Sequence, residues 1–489
     1  MAIENSLAIP LPVVQEYLAD TNPWWIAGRE ADPEVRHWPK RAYFAPFKRL
    51  LDTVDVRRAI VVIGPRRVGK TVMMRQAIQA LLADGVPGSR IMLAQMDVPL
   101  FAGQTLDSLV RLFIGLHHHR TEGVAHPLYV FFDEIQYLKD WEQHLKVLVD
   151  THPGVRFIAT GSAAAALRMK SRESGAGRFS DFILPPLTFS EYLDFCGQAA
   201  LVTDIAPPDA PRPHYHAPDI GALNAEFINY LNYGGFPEAV MNPAVRQDPR
   251  RFLRQDIVDK VLQKDLPSLF GISDAQQLNR FFNVLAYNTG LEVSPAGLSK
   301  DTGLPKPRID EYIEYLEAAF LIKRVHRVAE NARRLQRATS FKVYLTNPAV
   351  RAALFGILRP QDPALGRLVE TAIWSQWLHS PQDIAALHYA RWREGRTDYE
   401  VDLAGLAAHD QKPRFVVEIK WSDRAVQDPE GELKGLRRFL VQHPKLARAP
   451  LVTTLTQTAQ RQLDGHTIDF SPSALHCCTI ARNLLRQGI

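Results

Sequence analysis

Four short apolar runs punctuate the first part of the chain: AIVVIG (59–64), RIMLAQMD (90–97), LYVFFDE (128–134) and VRFIATGS (155–162). Three of them are rich in β-branched or aromatic residues, and all are short enough for a buried strand. Stretches of helical period such as KTVMMRQAIQALL (70–82) lie between them. Strands alternating with helices predict a parallel sheet covered by helices over 46–195. Ahead of it, NPWWIAGREADPEVRHWPKRAYFAP shows no sustained period, so 1–45 reads as an N-terminal extension packed by its aromatic residues.

The pattern changes downstream. The Pro-rich piece APPDAPRPHYHAP (206–218) interrupts the chain, and helical periodicity then predicts a helical lid and connector over 196–285. SPAGLSKDTGLPKPRIDEYIEYLEAAFLIKRV (294–325) reads as a short helix, a turn at Gly303 and a second helix opened by Pro305 and Pro307, followed by two β-like runs. This predicts a winged helix-turn-helix over 286–348. From 349 to 489, a helix containing LVETAIWSQWL precedes the strands ALHYARW, YEVDLAGL and RFVVEIKW, a second and separate α/β domain.

Bulk properties narrow the function classes. A chain of 489 residues exceeds one ordinary core, so two to four domains are expected. No apolar run approaches the ~18 residues of a membrane span, and the first residues do not read as a secretory signal, so the expected setting is the cytoplasm without a membrane partner. Three cysteines, Cys196, Cys477 and Cys478, form neither a disulfide framework nor a zinc pattern. A net charge of +5 permits contact with nucleic acid without requiring it.

GPRRVGKT, that is Gly64, Pro65, Arg66, Arg67, Val68, Gly69, Lys70 and Thr71, matches the P-loop (Walker A) spacing. Its glycines let backbone N–H groups turn inward on a phosphate, and the next helix begins there with its positive dipole end. Lys70 is expected to reach the β and γ phosphates of ATP, and Thr71 to ligate Mg2+. In LYVFFDE, a strand ends in Asp133 and Glu134, the Walker B arrangement. Asp133 suits the Mg2+ ion and Glu134 the orientation of the attacking water. VRFIATGS ends in Thr160 and Ser162, at the height of a γ-phosphate sensor. Arg178, before the next strand-like run, is a candidate arginine finger for a neighbouring subunit.

The succession GPRRVGKT, VFFDEIQYLKDWEQHLKVLVD, FIATGSAAAAL, GRFSDFILPPLTFSEYL and NYGGFPEAV resembles the bacterial and archaeal ATPases of the extended AAA class (AAA+) that end in a restriction-endonuclease-like domain. The resemblance runs from about residue 45 to 445. It implies an α/β fold with a P-loop AAA+ parallel-sheet core and helical lid, a winged helix, and a second α/β domain of the PD-(D/E)xK nuclease type. ATP and Mg2+ are the cofactors expected from the phosphate loop, and Arg178 as an arginine finger predicts a homo-oligomer such as a dimer or a hexameric ring. One departure is that NYGGFPEAV lacks the sensor arginine that AAA proteins often carry in the lid.

In the last domain Asp402 lies on one strand and Glu418 and Lys420 on the next, with Glu370 on the preceding helix. Glu418 and Lys420 are two apart and face the same side of a strand. In a PD-(D/E)xK nuclease, such carboxylates share Mg2+ and the lysine helps activate water or stabilises phosphorane charge. Glu400, two before Asp402, reads as an exposed strand residue, with a further metal ligand as the alternative. A nuclease-like fold that only binds nucleic acid or docks a partner protein stays open beside the cutting enzyme.

Lys306 and Arg308 on the second helix of the winged-helix stretch, with Arg333 and Arg337 beyond it, are candidate DNA contacts, although Asp310, Glu311 and Glu314 share that helix. Two functions follow: an ATPase doing conformational work on duplex or branched DNA, and an ATP-dependent switch that binds a protein partner while the nuclease-like domain is inactive.

Overall fold

The computed structural model describes residues 9–101, 103–117, 127–162, 177–206, 213–328 and 340–487. The chain forms two compact units, Met1–Leu184 and Pro185–Ile489.

The first unit is built on five strands: β1 (Ala59–Gly64), β2 (Ile91–Gln95), β3 (Leu128–Asp133), β4 (Val155–Ser162) and β5 (Phe179–Ile183), in the order β2-β3-β4-β1-β5. Every pairing is parallel. All six residues of β1 and of β3 are buried, which explains why they read as continuous apolar runs rather than alternating ones. Helices α1 (Leu11–Thr21), α2 (Phe44–Asp52), α3 (Lys70–Ala83), α4 (Leu106–Leu116) and α5 (Trp141–Thr151) complete this unit's principal elements. Because the strands run in one direction, the ends of β1, β3 and β4 lie on one rim. Gly64 is directly opposite Ser162. This rim is where α/β sheets bind ligands.

The N-terminal extension belongs to this unit. Strand β2 is at the sheet edge, and Asn22 pairs with it as a further strand would: its Nδ2 donates to Leu93 O at 2.9 Å and its Oδ1 accepts from Leu93 N at 2.6 Å. The indoles of Trp24 and Trp25 both donate to Ile91 O, at 3.0 and 2.7 Å. These bonds satisfy edge groups that would otherwise face water.

The second unit contains α6 (Phe189–Phe195), α7 (Ile220–Tyr233), α8 (Ala275–Tyr287), α9 (Pro295–Thr302) and α10 (Lys306–Ala318), followed later in the chain by α11 (Leu365–Gln376), α12 (Lys434–Gln442) and α13 (Ser473–Gln487). Ser294 caps α9 through Gly297 N, and the helix stops at Gly303, whose φ of 72° lies in the left-handed region that favours glycine. That turn, with Pro307 at the start of α10, joins the two helices. A three-stranded antiparallel sheet adjoins it: β6 (Glu292–Val293), β7 (Ile322–His326) and β8 (Phe341–Leu345), with β8 in the centre.

A six-stranded mixed sheet follows, made of β9 (Leu387–Glu394), β10 (Thr397–Leu406), β11 (Pro413–Glu418), β12 (Leu451–Thr454), β13 (Ala459–Leu463) and β14 (His466–Pro472), in the order β9-β10-β11-β12-β14-β13. Helix α6, assigned to the first core from sequence, packs here: Phe189 N donates to Gln376 Oε1 at 2.9 Å. One hydrophobic cluster takes in Phe189, Phe227, Tyr344, Trp374, Tyr389, Val417 and Leu484. The segments read as lid, winged helix and second α/β domain therefore share a core, and strand β8 is held against the larger sheet.

Candidate functional site

The loop from Gly64 to Lys70 has its shape dictated residue by residue. A Cβ on Gly64 would stand 2.2 Å from Leu184 O, and Gly69 has φ 94°, so both positions need glycine. Arg67 also adopts a left-handed backbone, with φ 64°. For a residue with a Cβ that geometry is unfavourable by roughly 1–2 kcal/mol. Arg41, buried in the extension, donates from Nη1 to Val68 O at 2.9 Å and braces the loop from behind.

Lys70 is buried, its Nζ donating to Gly64 O at 3.0 Å and Pro65 O at 2.9 Å. Thr71, one residue into α3, donates from Oγ1 to Asp133 Oδ2 at 2.9 Å. Burial raises the Asp133 carboxyl above its usual range, opposed by the hydrogen bond from Thr160, while neighbouring Glu134 adds to the rise. A hydroxyl beside a buried carboxylate is a hard-oxygen pair of the kind Mg2+ takes. The residues present fit both nucleotide phosphates and that ion.

Thr160 and Ser162, expected to sense the γ-phosphate together, separate into two roles. Thr160 Oγ1 donates to Asp133 Oδ1 at 2.5 Å and accepts from Glu134 N at 2.9 Å, so it fixes the strand end. Ser162 Oγ is buried and has no hydrogen-bond partner among the described residues. An orphaned hydroxyl opposite Gly64 costs about 1–3 kcal/mol unless a ligand satisfies it.

Glu134 has φ 54° and ψ 46°, an uncommon conformation that turns its side chain off the strand line. Its Oε2 accepts from Gln136 Nε2, and Gln136 Oε1 accepts from Ser162 N at 3.1 Å. Gln136 thus ties the acid to the end of β4, a link sequence reasoning missed. The signal was available in DEIQ as a polar side chain two residues past the acid. Arg178 is paired within its own unit, its Nε donating to Asp150 Oδ1 at 2.5 Å with both side chains 43% exposed.

The second unit brings Glu370, Asp402, Glu418 and Lys420 together. Lys420 Nζ donates to Glu418 Oε1 at 2.7 Å, and Asp402 Oδ2 accepts from Ile419 N at 2.8 Å. Two residues not foreseen join them from β8. Lys342 Nζ lies 2.8 Å from Glu370 Oε1, 2.6 Å from Glu400 Oε1 and 3.9 Å from Asp402 Oδ1, and Tyr344 donates to Glu370 Oε1 at 2.5 Å. Glu400 is therefore an ion-pair partner of Lys342, neither the exposed strand residue nor the further metal ligand expected from sequence. The β8 text FKVYL carried the missed signal, a Lys and a Tyr on one strand face.

Burial raises the carboxyls of Glu370 and Glu418, to about 7 and about 8. Burial works against the charge of Lys342, but Glu370 and its neighbours hold its pKa well above the ordinary lysine value. Among the described residues no group of three His, Cys, Asp or Glu side chains is arranged to hold a metal ion. A divalent ion does not fit this centre as folded.

Of the four basic residues singled out, Lys306 and Arg308 are exposed at the start of α10. Arg308 Nη1 is 2.9 Å from Glu311 Oε2. Arg333 and Arg337 lie outside the described residues.

Residues 56–193 match the family model of an AAA domain. This part of the chain is similar to AAA-class P-loop domains. Residues 224–361 match a domain of unknown function (DUF8612), a span that runs from α7 past β8. An uncharacterised protein of Methanocaldococcus jannaschii is 24% identical over 276 residues, covering 54% of this chain and 55% of that protein. The chain thus spans about half the length of this curated relative.

Two solved structures also align. PCH-2 of C. elegans does so at 17% identity and a TM-score of 0.28, over 42% of this chain and 60% of that one. The S. cerevisiae Hsp104:casein complex does so at 13% identity and a TM-score of 0.29, over 55% of this chain and 49% of that one. Alignments at these scores do not establish a shared arrangement. No described helix is long and apolar enough to cross a membrane.

Proposed function

We propose that the chain is an ATP-hydrolysing AAA machine that performs conformational work on DNA. The observation that carries the reading is the conjunction on one rim of Lys70, the Thr71–Asp133 pair and the buried, unpartnered Ser162 hydroxyl. Lys70 binds the β and γ phosphates once it leaves the two loop carbonyls. Thr71 and Asp133 hold Mg2+, which supplies charge neutralisation to the phosphates when bound. Ser162 donates to the terminal phosphate, and Glu134 orients the attacking water and accepts its proton. Arg178 serves the site of a neighbouring subunit in a homo-oligomer, for which its bond to Asp150 must open.

The DNA part of the reading is supported by the helix-turn-helix with its adjoining antiparallel sheet, read as a winged helix, and by Lys306 and Arg308 exposed on α10. The second α/β sheet is read as nuclease-like, because Glu370 from α11, Asp402 from β10, Glu418 at the end of β11 and Lys420 two residues past that end, and so not on the strand expected from sequence, converge. The experiment that tests this is ATP turnover measured with and without duplex, branched and single-stranded DNA at low salt. Stimulation by one of these is expected. Absence of both binding and stimulation removes DNA from the reading and leaves an ATP-dependent switch for a protein partner.

Each phosphate contact contributes about −0.9 to the slope of log affinity against log salt. Lys306→Ala is expected to reduce that slope by about one, whereas Arg308→Ala reduces it by less, since Arg308 is already spent on Glu311.

A further inference from the structure

We infer that Lys342 takes the place of a divalent cation in the acidic centre of the second unit, so that this centre binds no Mg2+ while strand β8 is in position. The inference rests on the nuclease-like reading of the sheet and concerns what occupies its centre.

Three observations carry it. The first is position. Lys342 Nζ reaches Glu370, Glu400 and Asp402, carboxylates from one helix and one strand of the larger sheet, with its side chain only 3% exposed. An ammonium donates up to three hydrogen bonds, and here carboxylates surround it. Mg2+ would need oxygens at about 2.0–2.1 Å in octahedral array, and a fixed ammonium amid the same oxygens both blocks and repels it.

The second is what is left over. Glu418 is buried, Lys420 takes its Oε1, and its Oε2 has no partner among the described residues. An acid oxygen left unsatisfied in a buried cluster is what a metal-binding architecture retains when its ion has been replaced by a single charge reaching only the other side.

The third is rigidity. Strand β8 is the central strand of its sheet, paired on both sides, and Phe341, Val343 and Leu345 are buried beside Lys342. Tyr344, two residues on, bonds Glu370 and stacks on Trp374 with ring centroids 5.0 Å apart. The lysine cannot swing away by the fraying of an edge.

The test uses the full-length protein without nucleotide, titrated with Mn2+ and followed by the loss of the free-ion paramagnetic resonance signal. The wild type is expected to show no Mn2+ binding that Asp402→Asn removes. Lys342→Met, which empties the position while keeping the stem's volume, is expected to gain one Mn2+ site at least about tenfold tighter than any in the wild type, a shift of about 1.4 kcal/mol. Adding Asp402→Asn to Lys342→Met should abolish that site, and Lys342→Arg should not create it.

Asp402-dependent Mn2+ binding by the wild type overturns the inference, as does a folded Lys342→Met protein that gains no site. If Lys342→Met does not fold, Lys342→Gln takes its place in the same titration, with the same gain expected and its absence equally fatal. Plasmid cleavage by Lys342→Met in Mn2+ separates the two ideas: a gained site without cleavage removes the nuclease-like reading and leaves the cation replacement standing.

Discussion

The Thr71 hydroxyl donates to Asp133 Oδ2 at 2.9 Å across 62 residues of sequence, joining the first turn of α3 to the end of β3. The phosphate loop and the acid strand are thus assembled before any ligand arrives. What remains to be supplied is a partner for Ser162 and a new one for Lys70.

Lys70→Ala is therefore expected to weaken nucleotide binding by about 10- to 100-fold, the worth of charge-assisted bonds to phosphate. Glu134→Gln should keep binding but lower turnover by roughly 100-fold or more, as loss of a general base does. Fluorescent-nucleotide titration and phosphate release measure the two. A Glu134→Gln protein with normal turnover removes the role given to that acid.

If Arg178 completes a neighbour's site, Arg178→Ala and Glu134→Gln proteins are each slow alone. Mixed, they should recover part of the wild-type rate, because each Glu134→Gln subunit lends an intact arginine to an intact acid next door. Equal rates before and after mixing would place Arg178 in its own subunit's chemistry or in none, leaving only its pairing with Asp150.

Gly64→Ala tests the close packing under the loop. The added methyl meets Leu184 O at 2.2 Å, a backbone atom that cannot rotate away. Overpacking of this kind is destabilising by about 1–3 kcal/mol, so a lowered melting temperature is expected together with weaker nucleotide binding. Unchanged melting would mean that β5 yields freely to β1.

The second unit should lose stability as pH rises. Burial lifts the Glu418 carboxyl from 4.5 to about 8, with Asp402 and Glu400 adding to the rise and Lys420 opposing it. Below pH 4.5 the group is protonated whether folded or not and contributes nothing. Between there and about 8 the unfolded chain gives up a proton that the folded chain keeps, so stability falls by up to ~1.4 kcal/mol per pH unit and then levels off. Glu370 acts in the same direction. Glu418→Gln should flatten the melting-temperature profile over that window, and an unchanged profile would contradict the assignment.

The P-loop was legible because it is local: Gly64, Gly69, Lys70 and Thr71 answer to one turn of backbone and the start of one helix. Asp133 and Glu134 were legible for the same reason, as polar residues ending an apolar run. The division of labour between Thr160 and Ser162 was not, since it depends on which side chain faces across to β3. Lys342 was hidden for a stronger physical reason. Its strand and its partners on α11 and β10 are far apart in the chain and meet only because the segments of the second unit share one core, which no local period reveals.

The AAA match starts at residue 56, yet the fold beneath it starts earlier, at Asn22, Trp24 and Trp25 on the edge of β2 and at Arg41 behind the loop. A fragment trimmed to the matched region would bare Leu93 N and O and Ile91 O along a parallel-sheet edge, a template on which a second copy could pair. Self-association of such a fragment would then report a missing border, and should not be taken for the assembly of the whole protein.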